Sequence, residues 1–437
     1  MSIRQNLLLT SLALAAAQAL AQTSSAVPTT NSTSSPASTT AATAPISLNQ
    51  ALQAARSNLD VALARHALAG AQADILSANR SPFPTLSAKL GQMDLQNGLG
   101  DGNFFTEKRV DKSLGMDWTW ERGNKRELRT LTARQAAAAA QADLDEVRTQ
   151  QLLAAQAGFF DLLAAQERGV QIGLIERSAA QLAVTANKRL QAGDLSAQDA
   201  SRTEIEAQRA RADLQAAELE RQRAAISLWQ LTGIATPPQQ LQAQADWPVL
   251  NGVLAPSPDL SALIETRADV RAAQARVQAA QAALDSSSAQ KVSDITVGAS
   301  YDHFPGTSTA LMELRMQMPL QWGYSYQGEI ARAAAQLAQA QDALEKVRRL
   351  AQAELQGLQQ LTLSTAQRAQ RYETEILPRA RKVADGAELA YSKGALSLTD
   401  LLDARRTLRS TLLDALNART DYARASVAWQ LRTQTDK

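Results

Sequence analysis

The sequence predicts a mainly α protein with a small β part: a long α-helical barrel continued by a shared transmembrane β-barrel. Three observations predict it. Residues 124–191 form a stretch of 68 residues with no proline and only three glycines, dominated by Ala, Leu, Gln, Glu and Arg. These are strong helix formers, and Leu and Val recur at spacings of three and four, as in Leu128–Leu131 and Leu144–Val147. Just before this stretch lies an alternating segment, Leu114–Trp120, and just after it a tight turn, Gly193-Asp194-Leu195-Ser196. Finally, the whole pattern occurs twice. A helix of that length would reach about 100 Å, far beyond the roughly 11–12 residues of a typical globular helix.

Composition narrows the function classes. The chain has 437 residues, with 45 Lys+Arg against 43 Asp+Glu, and the charges are interspersed. Nothing in that balance calls for nucleic acid. There are no cysteines and two histidines, His66 and His303. Disulfides and Cys/His zinc sites are therefore excluded. Neither histidine has a second nearby, so both are expected to be exposed structural residues; no metal site and no cofactor are expected. No nucleophile–base constellation and no phosphate-binding glycine pattern occurs, so an enzyme is not expected.

Taken in order, Arg4, the apolar run Leu7–Ala17 and Ala19-Leu20-Ala21 read as a signal peptide spanning 1–21. Residues 22–45, rich in Ser, Thr and Pro, read as a disordered linker. Ser47 suits a helix N-cap ahead of Leu48–Asn79, which Ser81-Pro82-Phe83-Pro84 ends. Strand candidates Leu86–Leu95 and Ser113–Trp120 flank a Gly-, Asn- and Asp-rich loop, Gln96–Val110. In the second strand Leu114, Met116, Trp118 and Trp120 alternate with Ser113, Gly115, Asp117 and Thr119. The long helix, its turn and a second helix, Ser196–Leu231, complete a first repeat over 46–236.

Residues 237–258, with five prolines, link it to a second repeat over 259–437. There Ser261–Leu284 is helical, Ile295–Tyr301 and Ala310–Met318 are strands, and a helix from about Gln327 reaches Gly394-Ala395-Leu396-Ser397. Leu398–Arg432 is the last helix. The register supports duplication: Leu144, Val147 and Arg148 precede Leu344, Val347 and Arg348 by 200, Gly123 precedes Gly323 by 200, and Gly193 precedes Gly394 by 201. Pro378 has no counterpart in the first long helix and predicts a kink.

Strands of about ten residues are long enough to cross a bilayer when tilted, and one face is apolar while the other is small or polar. Trp118, Trp120, Trp322, Tyr324 and Tyr326 gather where strands meet long helices, as aromatics do at a membrane–water interface. Four strands cannot close a barrel, and an open edge does not survive in lipid. Several chains must then share one barrel, and a trimer would supply twelve strands, four per protomer.

At this point the chain resembles the TolC-like outer membrane efflux protein family over nearly all of its mature length. The resemblance rests on the duplicated element order, on Pro-Phe-Pro-Thr-Leu at 82–86, on Gly123 and Gly323, and above all on residues 390–404, AYSKGALSLTDLLDA. It implies a homotrimeric outer-membrane channel-tunnel extending into the periplasm, the exit duct of a tripartite efflux or type I secretion system. Its partners would be a periplasmic adaptor (membrane fusion) protein, an inner-membrane transporter and outer-membrane lipid. The runner-up reading is a soluble periplasmic coiled-coil adaptor or spacer.

Asp400 and Asp403 lie three apart, close behind the second tip, and so share a helical face. By themselves they equally suit the positive end of a helix dipole; the resemblance implies stacked carboxylate rings gating the pore. It also implies a hydrogen-bonded latch involving Asp199 and Tyr391. Leu396 stands where some members carry an arginine, which removes a salt bridge from that point. The tips, Gly193, Asp194, Leu195 and Ser196 with Gly394, Ala395, Leu396 and Ser397, would dock the adaptor, although glycine ending one helix and serine capping the next also describes plain turns.

Overall fold

The structure, a computed structural model, describes residues 44–91, 96, 103, 110–250, 259–305 and 308–433. The signal-peptide segment, most of the 22–45 segment, most of the Gln96–Val110 loop, residues 92–95 of the first strand candidate and residues 251–258 lie outside the described residues. The elements in chain order are β1 (Ala44–Ile46), α1 (Leu48–Ala55), α2 (Leu59–Ala78), β2 (Thr85–Gly91), β3 (Asp111–Trp120), α3 (Lys125–Gln191) and α4 (Ala197–Thr232). There follow β4 (Leu241–Ala243), α5 (Leu260–Thr266), α6 (Ala268–Ala289), β5 (Ile295–Phe304), β6 (Ser308–Gln317), α7 (Gln327–Arg371), α8 (Leu377–Ser392) and α9 (Leu398–Thr433).

The long helix expected over 124–191 is α3, 67 residues without a break. Two other expected helices are each divided. Asn58 adopts extended backbone and accepts from Asp60 N–H, so α2 restarts with its own cap. Its side-chain amide also donates to the Leu231 carbonyl at 2.7 Å, tying the break to the end of α4. The equivalent break between α5 and α6 is at Arg267, again extended, with ψ 144. Ala-rich sequence gives no sign of either break, because neither Gly nor Pro marks it.

Pro378 produces a local change of winding. A five-residue π-turn, Tyr372–Ile376, joins α7 to α8. Proline lacks an N–H and its ring collides with the carbonyl four residues back, here Thr374, and the wider turn accommodates both.

β2, β3, β5 and β6 form one antiparallel sheet in that order, so the β3–β5 pairing joins the two repeats and β2 and β6 are its edges. Glycines begin the descent into helix: Gly123 and Gly323 have φ of +73 and +81, values that side chains disfavour. At the sheet's helix-side end, Lys125 is buried against Asp294 at 2.8 Å, which fixes the start of α3 to the start of β5.

The segment expected as a bare connector, 237–258, carries β4, which pairs in parallel with β1. Residues 44 and 45, assigned to the linker by composition, therefore belong to a strand. This small sheet lies on the principal core, where Phe159, Phe160, Leu162 and Leu163 of α3 meet Ile46, Leu228, Leu241 and Ala423. Phe160 stacks on Trp247 with ring centroids 5.9 Å apart. Burying such side chains stabilises the fold by about 2–3 kcal/mol each.

Candidate functional site

The two hairpin tips are built alike. Ser196 Oγ accepts from Asp199 N–H at 3.0 Å and lies 2.8 Å from Asp199 Oδ2, to which it donates. Ser397 and Asp400 repeat this at 3.2 and 2.7 Å. Each serine thus satisfies one orphan donor at the start of its helix, and each aspartate orients the serine. Gly193 and Gly394, with φ of +79 and +75, reverse the chain, and the tip residues are exposed apart from half-buried Leu195 and Leu396.

One turn further along the two helices differ. Asp403 is exposed on the same face of α9 as Asp400, whereas the matching position of α4 is Arg202. Arg202 sits 3.7 Å from Asp199 and donates to Thr399 Oγ1 at 3.2 Å, so it reaches from the first tip to the second. Asp199 and Tyr391 engage different partners within one chain. Tyr391 is instead met by Arg189, whose guanidinium lies 5.7 Å from the ring centroid and 3.4 Å from the hydroxyl.

Above the tips, three arginines of α9 face three carboxylates. Arg405 pairs with Glu388 of α8 at 2.8 Å, Arg406 with Glu206 of α4 at 2.9 Å and Arg409 with Asp213 of α4 at 2.5 Å. The Glu206 carboxylate raises the Arg406 guanidinium above its ordinary value. Between α3, α4, α8 and α9 the three arginines, Glu206 and Glu388 rim a cavity of about 250 Å³ whose lining includes Leu174, Leu182, Leu402 and Leu412. Sequence reading missed Arg189, Arg202 and this ladder; arginines are abundant here, and nothing local marks those that bridge hairpins.

The sheet presents an apolar face of Leu86, Leu114, Met116, Trp118, Val297, Tyr301, Met312, Leu314 and Met316, all exposed. Trp118 and Trp120 are 48% and 60% exposed and Trp322 is 87% exposed, so none is a core residue. Tyr324 donates to Glu329 at 2.6 Å, lies 6.1 Å from the Tyr326 ring and holds the Glu329 carboxyl below its ordinary range. His303, half-buried rather than exposed as expected, lies on β5 at the loop side, on the apolar face opposite Lys112, and His66 is exposed on α2. Among the described residues no helix is long and apolar enough to cross a membrane, and no group of three or more His, Asp or Glu side chains could hold a metal.

Comparison with known proteins shows what such a molecule is similar to. Residues 260–431 match the outer membrane efflux protein family model. The cobalt-zinc-cadmium resistance protein CzcC of Cupriavidus metallidurans is 29% identical over 373 residues, 84% of this chain and 85% of that protein. The second half of the chain thus carries the pattern of the outer membrane efflux protein family, and the chain as a whole is similar to such a protein. Its fold is that of a membrane protein from Pseudomonas aeruginosa, with TM-score 0.77 at 18% identity, covering 89% of this chain and 93% of that one. The outer membrane protein VceC of Vibrio cholerae is similar at TM-score 0.72 and 18% identity, covering 88% and 95%. This efflux protein therefore resides in the outer membrane, extends into the periplasm and serves as an exit duct. Its relatives are channel and efflux proteins rather than enzymes.

Proposed function

We propose that three copies of this efflux protein assemble into one passive duct. Each contributes four strands to a twelve-stranded barrel and two helical hairpins to a periplasmic tube that narrows at the tips. The observation that carries this is the sheet itself: four antiparallel strands with two open edges and an exposed apolar face. Neither the edges nor that face is tolerable unless neighbouring copies close the sheet within lipid. Trp118, Trp120, Trp322, Tyr324 and Tyr326 form the aromatic band at the periplasmic boundary. Planar-bilayer recording on purified protein tests the reading. Discrete channels from a cross-linkable trimer support it, and a protein that stays monomeric, dissolves without detergent and never conducts defeats it.

In this assembly Asp400 and Asp403 form the two carboxylate rings of the gate. Asp199 and Tyr391 latch neighbouring hairpins, joined by Arg202 and Arg189. Gly193–Ser196 and Gly394–Ser397 receive a periplasmic adaptor, which links the duct to an inner-membrane transporter. The named relative and the carboxylates Asp400 and Asp403 support divalent transition-metal cations as the cargo. A strain lacking the gene would then lose tolerance to zinc, cobalt or cadmium; unchanged tolerance to all three would remove that cargo.

A further inference from the structure

We infer that Arg315 and Asp117 form a strap laid flat along the barrel wall, and that this strap sets the ion preference and bore of the pore. The inference rests on the barrel assignment above, which makes the polar face of the sheet the lumen. Asp117, Gly298 and Arg315 are direct partners in one row across β3, β5 and β6. Arg315 Nε and Nη2 donate to the two oxygens of Asp117 at 2.9 and 2.8 Å, a bidentate pair reaching over the whole width of β5.

The middle position explains how this is possible. A Cβ at Gly298 would lie 2.0 Å from Asp117 Oδ1 and 2.9 Å from Arg315 Nε. Any side chain there would lift the guanidinium off the wall. Gly115, one pair along, leaves similar room: a Cβ would come within 3.2 Å of Arg315 Nη2. Two glycines on the polar face thus form a trough in which the arginine lies, and its charge is spent on a wall carboxylate instead of projecting into the bore.

The rest of the polar face gives the strap its consequence. Among the described strand residues, Lys89 and Arg315 share it with Asp111, Asp117, Asp302 and Glu313. Two cations against four carboxylates leave the lining acidic, and symmetry multiplies the excess. Rings of carboxylates favour cations. A free Arg315 would oppose that, because its guanidinium would stand beside Glu313 and Asp302 in the ion path.

Planar-bilayer recording of the full chain under a salt gradient tests this, with wild type, Asp117→Asn, Arg315→Gln and the double variant. Wild-type channels should prefer cations. Asp117→Asn should shift the reversal potential towards anions and lower single-channel conductance, Arg315→Gln should shift it further towards cations, and the double variant should return near wild type. Should Asp117→Asn fail to assemble, Arg315→Gln still decides, since it leaves no unpaired cation. Wild-type channels whose selectivity and conductance are unchanged by the substitutions overturn the strap. An absence of wild-type channels overturns the barrel assignment instead.

Discussion

Arg202, near the first tip, donates to Thr399 Oγ1, near the second, across 3.2 Å while lying 3.7 Å from its own Asp199. One side chain therefore holds two hairpins that the sequence places 197 positions apart. The contact is about half exposed, and exposed pairs of this kind contribute about 0.2–1 kcal/mol. Replacing Arg202 by Ala should raise single-channel conductance without changing the thermal midpoint by more than a few degrees. Combining it with Arg189→Ala, which frees Tyr391, should raise conductance further. Recordings that superimpose on wild type would show that these contacts do not close the tip.

The carboxylates behind the second tip divide into two kinds. Asp400 is engaged with its capping serine, whereas Asp403 is exposed one turn along. Asp403→Ala should therefore weaken block by divalent cations with little effect on stability. Asp400→Ala should weaken it too and cost about 0.5–1 kcal/mol through the cap. Block curves with magnesium or cobalt, set beside unfolding curves, separate the two effects.

Acid sensitivity should be traceable to the α5–α6 break. Arg267, 5% exposed, pairs with Asp269 at 2.8 Å and Glu354 at 2.7 Å, and Arg432 joins Glu354 at 2.9 Å and Glu146 at 3.0 Å. Burial is the largest single influence on Asp269 and opposes its charge, yet the hydrogen bond and charge of Arg267, the Val270 N–H and the charge of Arg432 together outweigh it and leave the carboxyl below its ordinary value of 3.8. A depressed folded-state pKa contributes stability above the unfolded value, and that contribution is lost as pH falls through the folded one. Asp269→Asn should flatten the decline in stability below about pH 4. Arg267→Ala should cost about 2–3 kcal/mol at neutral pH by leaving part-buried carboxylates unpaired. Denaturation midpoints across a pH series provide the check.

Trp247, in the segment between the repeats, should matter as much as a helix residue. It stacks on Phe160, donates to Glu167 at 2.6 Å and lies under Arg419 at 5.5 Å. Trp247→Ala should cost about 3–4 kcal/mol. Loss of the heat-resistant assembled band on gels, with the strands still formed, would report it.

The sequence announces what is periodic and long. Helix α3 is bounded by Gly123 and Gly193, and the alternating strands are placed within a few residues of where they form. What it conceals is non-local or carried by one residue. β1 and β4 have three residues each and pair across some 197 positions, so neither has a pattern of its own. Asn58 and Arg267 break helices by what their side chains reach. Arg202 and Arg315 look like any other arginine until the fold brings Thr399 and Asp117 to them. At the tips, spacing placed Asp400 and Asp403 on one face; that Asp400 also serves as a cap needed coordinates.

The π-turn records how the two halves diverged. Ahead of it, buried positions of the repeats correspond at an interval of 200, as Ala155 with Leu355 and Leu162 with Thr362; beyond it, Ala179 with Ala380 and Ala183 with Ala384 correspond at 201. A π-turn holds one residue more than the α-turn it replaces. Without it, a single insertion would rotate everything downstream by about 100° and turn those alanines out of the interior. The widened turn absorbs the extra residue in one place, so a duplicated gene could lengthen one copy and keep the inherited packing of its lower half.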